Sequence, residues 1–282
     1  LCVKLAQWLG CDIISCDSRQ FYKELNIGTA KPRPEEMQDV PHHFIDTQSV
    51  EVLYSAGDFE RDVEAFLELY FQEKNVVIMT GGSGLFVDAL VNGLDYMPEA
   101  PLELRAELMQ RLENGEKEIL QNELKSLDSL TYENIDIQNS QRLIRALEVC
   151  FSTGKPFSSF QKKGEKEHFY KVVKIGIERP REELYQKINA RVDVMLKQGL
   201  LDEVKSLEKY KEKNALQTVG YKEVFGYFAD EHDYQTMVDL IKRNTRRYAK
   251  RQMTWFKNKD KFEWFDAQAF EDIKSFIAKV MV

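Results

Sequence analysis

Residues suited to holding a metal or a disulfide framework are few in this 282-residue chain. Its four cysteines, Cys2, Cys11, Cys16 and Cys150, form no CxxC pair and no recognisable zinc spacing, and most sit in apolar segments. They read as buried free thiols of a reducing compartment. The histidines, His42, His43, His168 and His232, are scattered, which argues against a protein-built transition-metal site. Long hydrophobic runs are missing too. None approaches the roughly 18 residues of a membrane span, and there is no signal-peptide pattern. These absences imply a soluble cytoplasmic protein with no membrane partner. The 43% hydrophobic and 31% charged residues suit one large globular domain, or a core domain with a smaller companion.

Charge is short on the positive side, with a net value of -7, which ordinarily argues against a nucleic-acid partner. It is unevenly spread, however. From Lys242 to Lys261, in KRNTRRYAKRQMTWFKNKDK, nine Lys and Arg face a single Asp, with Tyr248, Trp255 and Phe256 interleaved. Such a segment fits an RNA or phosphate footprint, because phosphate contacts supply most nucleic-acid affinity. It fits equally a solvated basic helix face balanced by acidic helices elsewhere.

The first residues, LCVKLAQWLG, resemble the tail of a helix stopped at Gly10. Ile13 to Cys16 read as a short strand with Asp17 and Ser18 at its C-terminal tip. In an open α/β sheet that tip is where ligands bind, although an Asx turn accounts for the same two residues. An irregular stretch through GTAKPRPEE follows, and PHHFIDT gives a second short strand. Ser55 and Asp58 cap a helix whose Phe59, Val63, Phe66, Leu67 and Tyr70 share one face. In NVVIMTGGSGLFVDAL, Val76 to Met79 predict a strand buried on both faces, as in a parallel sheet. Gly81, Gly82 and Gly84 then allow a tight turn into a helix with exposed amides, but without the Lys of a GxxxxGK[ST] loop.

From about Met97 to His168 the chain turns polar and helix-rich, with Pro98 and Pro101 at the entrance and GKP and GEKEH at the exit. This predicts a core of residues 1–97 and 169–282 with a helical insertion at 98–168. Within the insertion, QRLIRALEV sets Arg142 and Arg145 on one helix face. The core resumes with VVKIGIE and a long helix from Arg181 towards Gln198. Arg191 flanks that helix's apolar stripe of Leu184, Ile188, Val192 and Met195.

Ten stretches, in order, resemble the tRNA dimethylallyltransferases, or tRNA isopentenyltransferases, of bacterial type. They are DSRQFYKELNIGTAKP, PHHFID, YSAGDF, GGSGLF, NGLD, QRLIRALEV, GKP, INARVDVML with GLLDEV, ALQTVGYKE, and KRNTRRYAKRQMTWF. The resemblance implies a P-loop NTPase-like parallel-sheet core flanked by helices, with an inserted helical subdomain. It implies transfer of a dimethylallyl group from dimethylallyl diphosphate to the exocyclic N6 amine of the adenosine beside the anticodon of tRNA. Mg²⁺ is the implied cofactor, and a monomer is expected. By the same resemblance Asp17 is the general base, with Ser18, Arg19 and Gln20 beside it at the tRNA. Arg191 would contact diphosphate, and Ser83 phosphate or tRNA. Arg105, the run Gln141, Arg142, Leu143, Ile144 and Arg145, and the run Gln217, Thr218, Val219, Gly220, Tyr221 and Lys222 would meet tRNA. Leu143, Ile144 and Val219 also read as core side chains in a functional neighbourhood, and Tyr221 as a stacking or packing ring.

Two departures stand out. Phe86 replaces a more usual Tyr, and no GxxxxGK[ST] loop precedes LCVKLAQWLG, so a strand and such a loop are expected upstream of Leu1. Rival readings are an adenylate isopentenyltransferase or nucleotide kinase on the same core, and a tRNA-binding protein without catalysis. Retention of Asp17 and Arg191 argues against the last.

Overall fold

The computed structural model describes residues 1–95, 97–161, 166–259 and 261–281. Asp260, the single acid of the basic stretch, and Gly164 and Glu165 of GEKEH lie outside the described residues. The chain divides into two compact units, Leu1–Asn92 with His168–Val282, and Gly93–Glu167.

The first unit opens with α1 (Cys2–Leu9), closed by Gly10 in the left-handed conformation, φ 64°. Then come β1 (Ile13–Ser15), the short α2 (Pro34–Met37), β2 (His42–His43), α3 (Ala56–Tyr70), β3 (Ile78–Thr80) and α4 (Gly84–Asn92). Ser55 caps α3 as its sequence predicts: its hydroxyl accepts from the Asp58 amide at 3.2 Å, and the Asp58 carboxylate accepts from the Ser55 amide at 2.8 Å. The second unit holds α5 (Leu102–Glu113), α6 (Lys117–Leu127), α7 (Ser129–Asn134) and α8 (Ser140–Thr153). The first unit resumes with β4 (Ile175–Glu178), α9 (Arg181–Lys197), α10 (Leu200–Ser206), α11 (Tyr221–Phe228), α12 (Tyr234–Lys259), β5 (Glu263–Asp266) and α13 (Phe270–Met281). No described helix is long and apolar enough to cross a membrane.

All strand pairing is parallel, in a sheet of order β2-β1-β3 and a separate pair β4-β5. Ile13 lies opposite both His42 and Ile78, and Ile175 opposite Glu263. Parallel neighbours need crossovers, and helices supply them here. The expected α/β class is therefore present, as two small sheets among the described residues. Strand β3 differs from expectation: it begins at Ile78, and Val76 to Met79 are only half-buried. The reason is its position at the edge of its sheet, with β1 on one side only.

Strand β1 is the buried centre. Because successive side chains point to opposite faces, Ile13 joins one apolar cluster with Ala6, Cys11 and Val40. Ile14 and Cys16 join the main one with Phe21, Phe59, Val63 and Tyr221. Each fully buried large side chain contributes roughly 1.5–3 kcal/mol, so β1 is clamped from both sides and its exit point is fixed. The helical unit has its own core of Leu108, Leu120, Leu124, Leu143, Ile144 and Leu147.

Where β1 leaves the sheet, Gly81 touches it backbone to backbone. A Cβ at Gly81 would lie 2.0 Å from the Cys16 carbonyl oxygen and 2.3 Å from its carbon. Neither can yield as a flexible side chain would. Gly81→Ala should therefore destabilise the protein by at least about 1–3 kcal/mol, the usual range for overpacking, read as a lowered urea midpoint. Gly57→Ala in α3, where nothing lies closer than 3.7 Å, should leave the midpoint unchanged or raise it.

Candidate active site

The chain turns sharply after β1 because Asp17 bonds its own following backbone. The Arg19 amide donates to Asp17 Oδ1 at 2.9 Å, and the Gln20 amide also acts to lower the pKa of this carboxylate. This is the Asx turn that Asp17 and Ser18 allow at the strand tip. Asp17 is half-buried as a residue; desolvation of its carboxyl pushes it above its usual range, while the Arg19 amide, the Arg19 charge and the Gln20 amide act against that shift. Beneath the turn lies buried Ser83, at the entrance to α4. Its hydroxyl accepts from the Ser18 amide at 2.8 Å and donates to Ser18 Oγ at 3.0 Å. Arg19 Nη1 donates to the Ser18 carbonyl at 2.8 Å, and its Nε is buried with no partner among the described residues. The Gln20 side chain turns inward. Its Nε2 donates to the carbonyls of Thr29 and Ala30, at 3.2 and 3.4 Å, and its Oε1 accepts from Ser15 Oγ at 3.2 Å.

Helix α12 forms the wall of this turn. Gln252 Nε2 donates to the Gly82 carbonyl at 2.8 Å. The Tyr248 ring is exposed as a whole, while desolvation of its phenol, then the Asp17 charge, raise its pKa, and Ser83 and Gln252 act against that shift. The Trp255 ring lies so close to Gly84 that a Cβ there would come within 2.7 Å. Sequence reasoning grouped Tyr248 and Trp255 with the basic footprint and overlooked Gln252. The i, i+4, i+7 spacing of 248, 252 and 255 marks one helix face, and only the fold shows what that face meets. Phe86, where Tyr is more usual, packs its ring near Phe21 and Phe59, at 5.8 and 5.5 Å between centroids.

The cations of α12 divide by whether they have a partner. Lys242 pairs with Asp193 at 2.6 Å, Lys257 with Glu178 at 2.8 Å and Lys259 with Asp88 at 3.1 Å. Arg246 donates to Asn189 at 2.7 Å and stacks over Tyr185. These are structural ties. Arg247, Lys250 and Arg251 are exposed instead, and with Trp255 they line an open groove of about 610 Å³.

The remaining predicted residues are dispersed. Arg191 is exposed on α9, and its charge acts on Glu36. No contact joins it to the Asp17 turn among the described residues. Gln217 is exposed and donates to the Lys211 carbonyl at 2.7 Å, Thr218 and Val219 are half-buried, and Lys222 is exposed. Gly220, at φ 96°, donates its amide to Glu223 Oε2 at 2.7 Å. Tyr221 is a packing ring: it is fully buried, and its hydroxyl donates to Glu203 Oε1 at 2.6 Å.

In the helical unit, Arg105 donates to Glu148 Oε1 at 2.7 Å and to Gln141 Oε1 at 2.8 Å. Arg145 donates to Glu148 Oε2 and to the Pro98 carbonyl, both at 3.3 Å. The buried Glu148, which sequence reasoning did not single out, thereby fixes two guanidiniums at the surface, as a buried charge requires partners. Arg142 is exposed. Leu143 and Ile144 are fully buried core side chains, so any part they take at the surface falls to their neighbours.

No three His, Cys, Asp or Glu side chains converge on one point among the described residues. Mg²⁺ commonly takes one or two carboxylates together with substrate phosphates. Such an ion needs no three-residue cluster of this kind.

Residues 20–259 match the family model described as IPP transferase. The chain is 46% identical over 266 residues to the tRNA dimethylallyltransferase of Christiangramia forsetii, covering 94% of this chain and 88% of that one. It superposes on the crystal structure of the full-length tRNA isopentenylpyrophosphate transferase from Bacillus halodurans with a TM-score of 0.70 and 35% identity, covering 98% of this chain and 90% of that one. Against the structure of a eukaryotic dimethylallyltransferase acting on tRNA, the TM-score is 0.77 and the identity 25%, over 96% and 71% of the two chains.

The raised Asp17 pKa has a consequence for stability. The folded protein holds this proton to a higher pH than the unfolded chain, whose value is about 3.9. Stability therefore falls as pH rises through the window between the two values and stays lower above it. Asp17→Asn keeps the acceptor for the Arg19 amide and removes the desolvated charge. It should melt above the wild type at neutral pH, with the gap closing as the pH is lowered towards about 4. Calorimetry across that range checks this.

Proposed function

The chain belongs to the IPP transferase family, and from that premise we propose that it transfers the dimethylallyl group of dimethylallyl diphosphate to the exocyclic N6 amine of the adenosine adjacent to the anticodon in tRNA. Diphosphate is released, and the protein acts as a cytoplasmic monomer. The observation that carries the proposal is the Asp17 carboxylate, set at the tip of β1 and kept partly desolvated by its surroundings.

The lone pair of an adenine amine is delocalised into its ring, which makes the amine a poor nucleophile. As its nitrogen forms the new bond to C1 of the dimethylallyl group, the C1–O bond to diphosphate breaks and one N–H proton passes to Asp17. A general base of this kind contributes about 10²–10⁴-fold. Its raised pKa suits the task, since desolvation makes the carboxylate a stronger base at neutral pH. The unpartnered Arg19 Nε beside it offers a donor to an entering acceptor. The target base lies in a loop, so extruding it costs less than flipping it out of a duplex. Negative charge grows on the departing diphosphate, where a fixed cation supplies the largest stabilising effect. Arg191, exposed and without a hydrogen bond or ion pair among the described residues, is the proposed cation. The exposed cations Arg247, Lys250 and Arg251 would lie along RNA phosphates, which position the substrate without reading bases.

Single-turnover prenyl transfer with saturating tRNA tests the base directly. Asp17→Asn should lose at least ~100-fold in rate with tRNA affinity nearly unchanged, and AMP offered in place of tRNA should not be prenylated. Transfer to AMP in preference to tRNA would favour the free-adenylate reading.

Joint neutralisation of Arg247, Lys250 and Arg251 should weaken binding of all tRNAs alike. It should lower the slope of log affinity against log salt by about 2–3, at roughly 0.7–0.9 per phosphate contact. Arg246→Ala should instead lower stability, since that side chain holds Asn189.

A further inference from the structure

Glu203 on α10 is used by nothing in the reaction described so far, yet it gathers four donors. Its Oε2 accepts from the amides of Asn26 and Ile27, at 3.2 and 2.8 Å. Its Oε1 accepts from the Gly28 amide at 3.0 Å and the Tyr221 hydroxyl at 2.6 Å. One carboxylate thus anchors three successive backbone amides of a loop that has no regular structure of its own. Gly28 permits this closeness: a Cβ there would sit 2.5 Å from the Tyr221 ring. A second tie comes from Lys31, whose buried ammonium donates to the Tyr22 carbonyl at 2.8 Å and to Asn26 Oδ1 at 3.0 Å, and pairs with Asp46.

The next two residues of the loop, Thr29 and Ala30, supply the carbonyls that hold the Gln20 side chain. Gln20 stands three residues after Asp17 in the same turn, and its amide acts to lower the Asp17 pKa. Hydrogen bonds and the short loop between them therefore connect Glu203, through Asn26–Gly28 and Thr29–Ala30, to Gln20 in the Asp17 turn. Each of those hydrogen bonds is a directional bond to backbone, which resists rotation of the turn more than apolar packing does.

We propose that Glu203, with Tyr221 and Gly28, is a positioning residue that holds the Asp17 carboxylate in its reactive setting through the 26–30 loop and Gln20. This rests on the reading of Asp17 as the general base. Its chemistry is charge-assisted: an ionised acceptor makes stronger bonds to amides than a neutral one does. A neutral Gln at 203 would present an NH₂ to donors already crowded there, and the loop would loosen. The Gln20 amide would then drift from Asp17.

The test uses the full chain with Glu203→Gln and Tyr221→Phe, the second removing one donor of the four should the first not fold. Hydrogen exchange at the amides of Asn26, Ile27 and Gly28 is the direct readout and needs no activity. Faster exchange is expected in both variants, more in Glu203→Gln. In single turnover, the transfer rate should fall by up to about 100-fold, the scale of a misplacement near 1 Å, with the KM for tRNA held within about twofold on the same grounds. The acidic limb of the pH–rate profile should also move to higher pH, because the lost amide bond favoured the ionised carboxylate. The other groups facing Asp17 are Arg19 on its own turn, Tyr248 on α12 and Cys16 at the end of β1, and none of them changes. Wild-type exchange at 26–28 would overturn the proposal. So would faster exchange with an unmoved rate and pH limb, which would leave Glu203 purely structural. Failure of the underlying reading is distinguishable, because Asp17→Asn would then retain the wild-type rate whatever Glu203 does.

Discussion

At Asp17 the amides of Arg19 and Gln20 have to replace the water that a carboxylate normally keeps. Two backbone donors are fewer than a hydrated carboxylate has, so the charge stays costly in the folded state and the group holds its proton more tightly. That imbalance can persist only if the turn cannot relax. The surroundings prevent relaxation from three directions. Strand β1 is packed on both faces, Ser83 holds the Ser18 amide from below, and α12 closes one side through Gln252 and Tyr248. A strained electrostatic position is thus stabilised by ordinary burial elsewhere, and the same desolvation that costs stability makes a basic carboxylate.

Much of this was legible in the chain itself. The helix caps at Gly10 and Ser55 and the strand at Ile13 rest on local chemistry, and the structure has them where local chemistry puts them. The insertion was visible as a change of composition. The Asp17 turn was visible as well, as one of two readings of the same two residues. What could not be read were contacts between segments distant in sequence. Gln252 on Gly82 is separated by 170 residues and Glu203 on Ile27 by 176, and no periodicity reports such a pairing. Gly28 and Gly84 look like turn formers in sequence. In space they are places where an aromatic ring of another helix comes down on the backbone.

The basic helix shows the same limit. Counting charges finds nine Lys and Arg between Lys242 and Lys261 and cannot sort those that hold the fold from those left over. Lys242, Arg246, Lys257 and Lys259 have partners on neighbouring elements, while Arg247, Lys250 and Arg251 are exposed along the groove that Lys259 also lines. Footprint and solvated face were offered as alternatives, and both concern the exposed cations, since the paired ones belong to the fold. In the helical unit a single buried carboxylate, Glu148, similarly converts two mobile arginines into fixed surface charges. A cation with its rotamers already restricted loses less entropy on meeting phosphate, which favours Arg for such contacts.

The central claim is that Asp17 is a desolvated carboxylate whose pKa the fold has raised. A carbon-13 titration of the Asp17 side-chain carboxyl in the free protein, assigned by loss of the signal in Asp17→Asn, measures this without substrate or activity. The account predicts a midpoint clearly above the ordinary aspartate value of about 3.9. A midpoint at or below that value would mean that the amides and Arg19 outweigh desolvation, and the carboxylate would then be too weak a base for the part assigned to it.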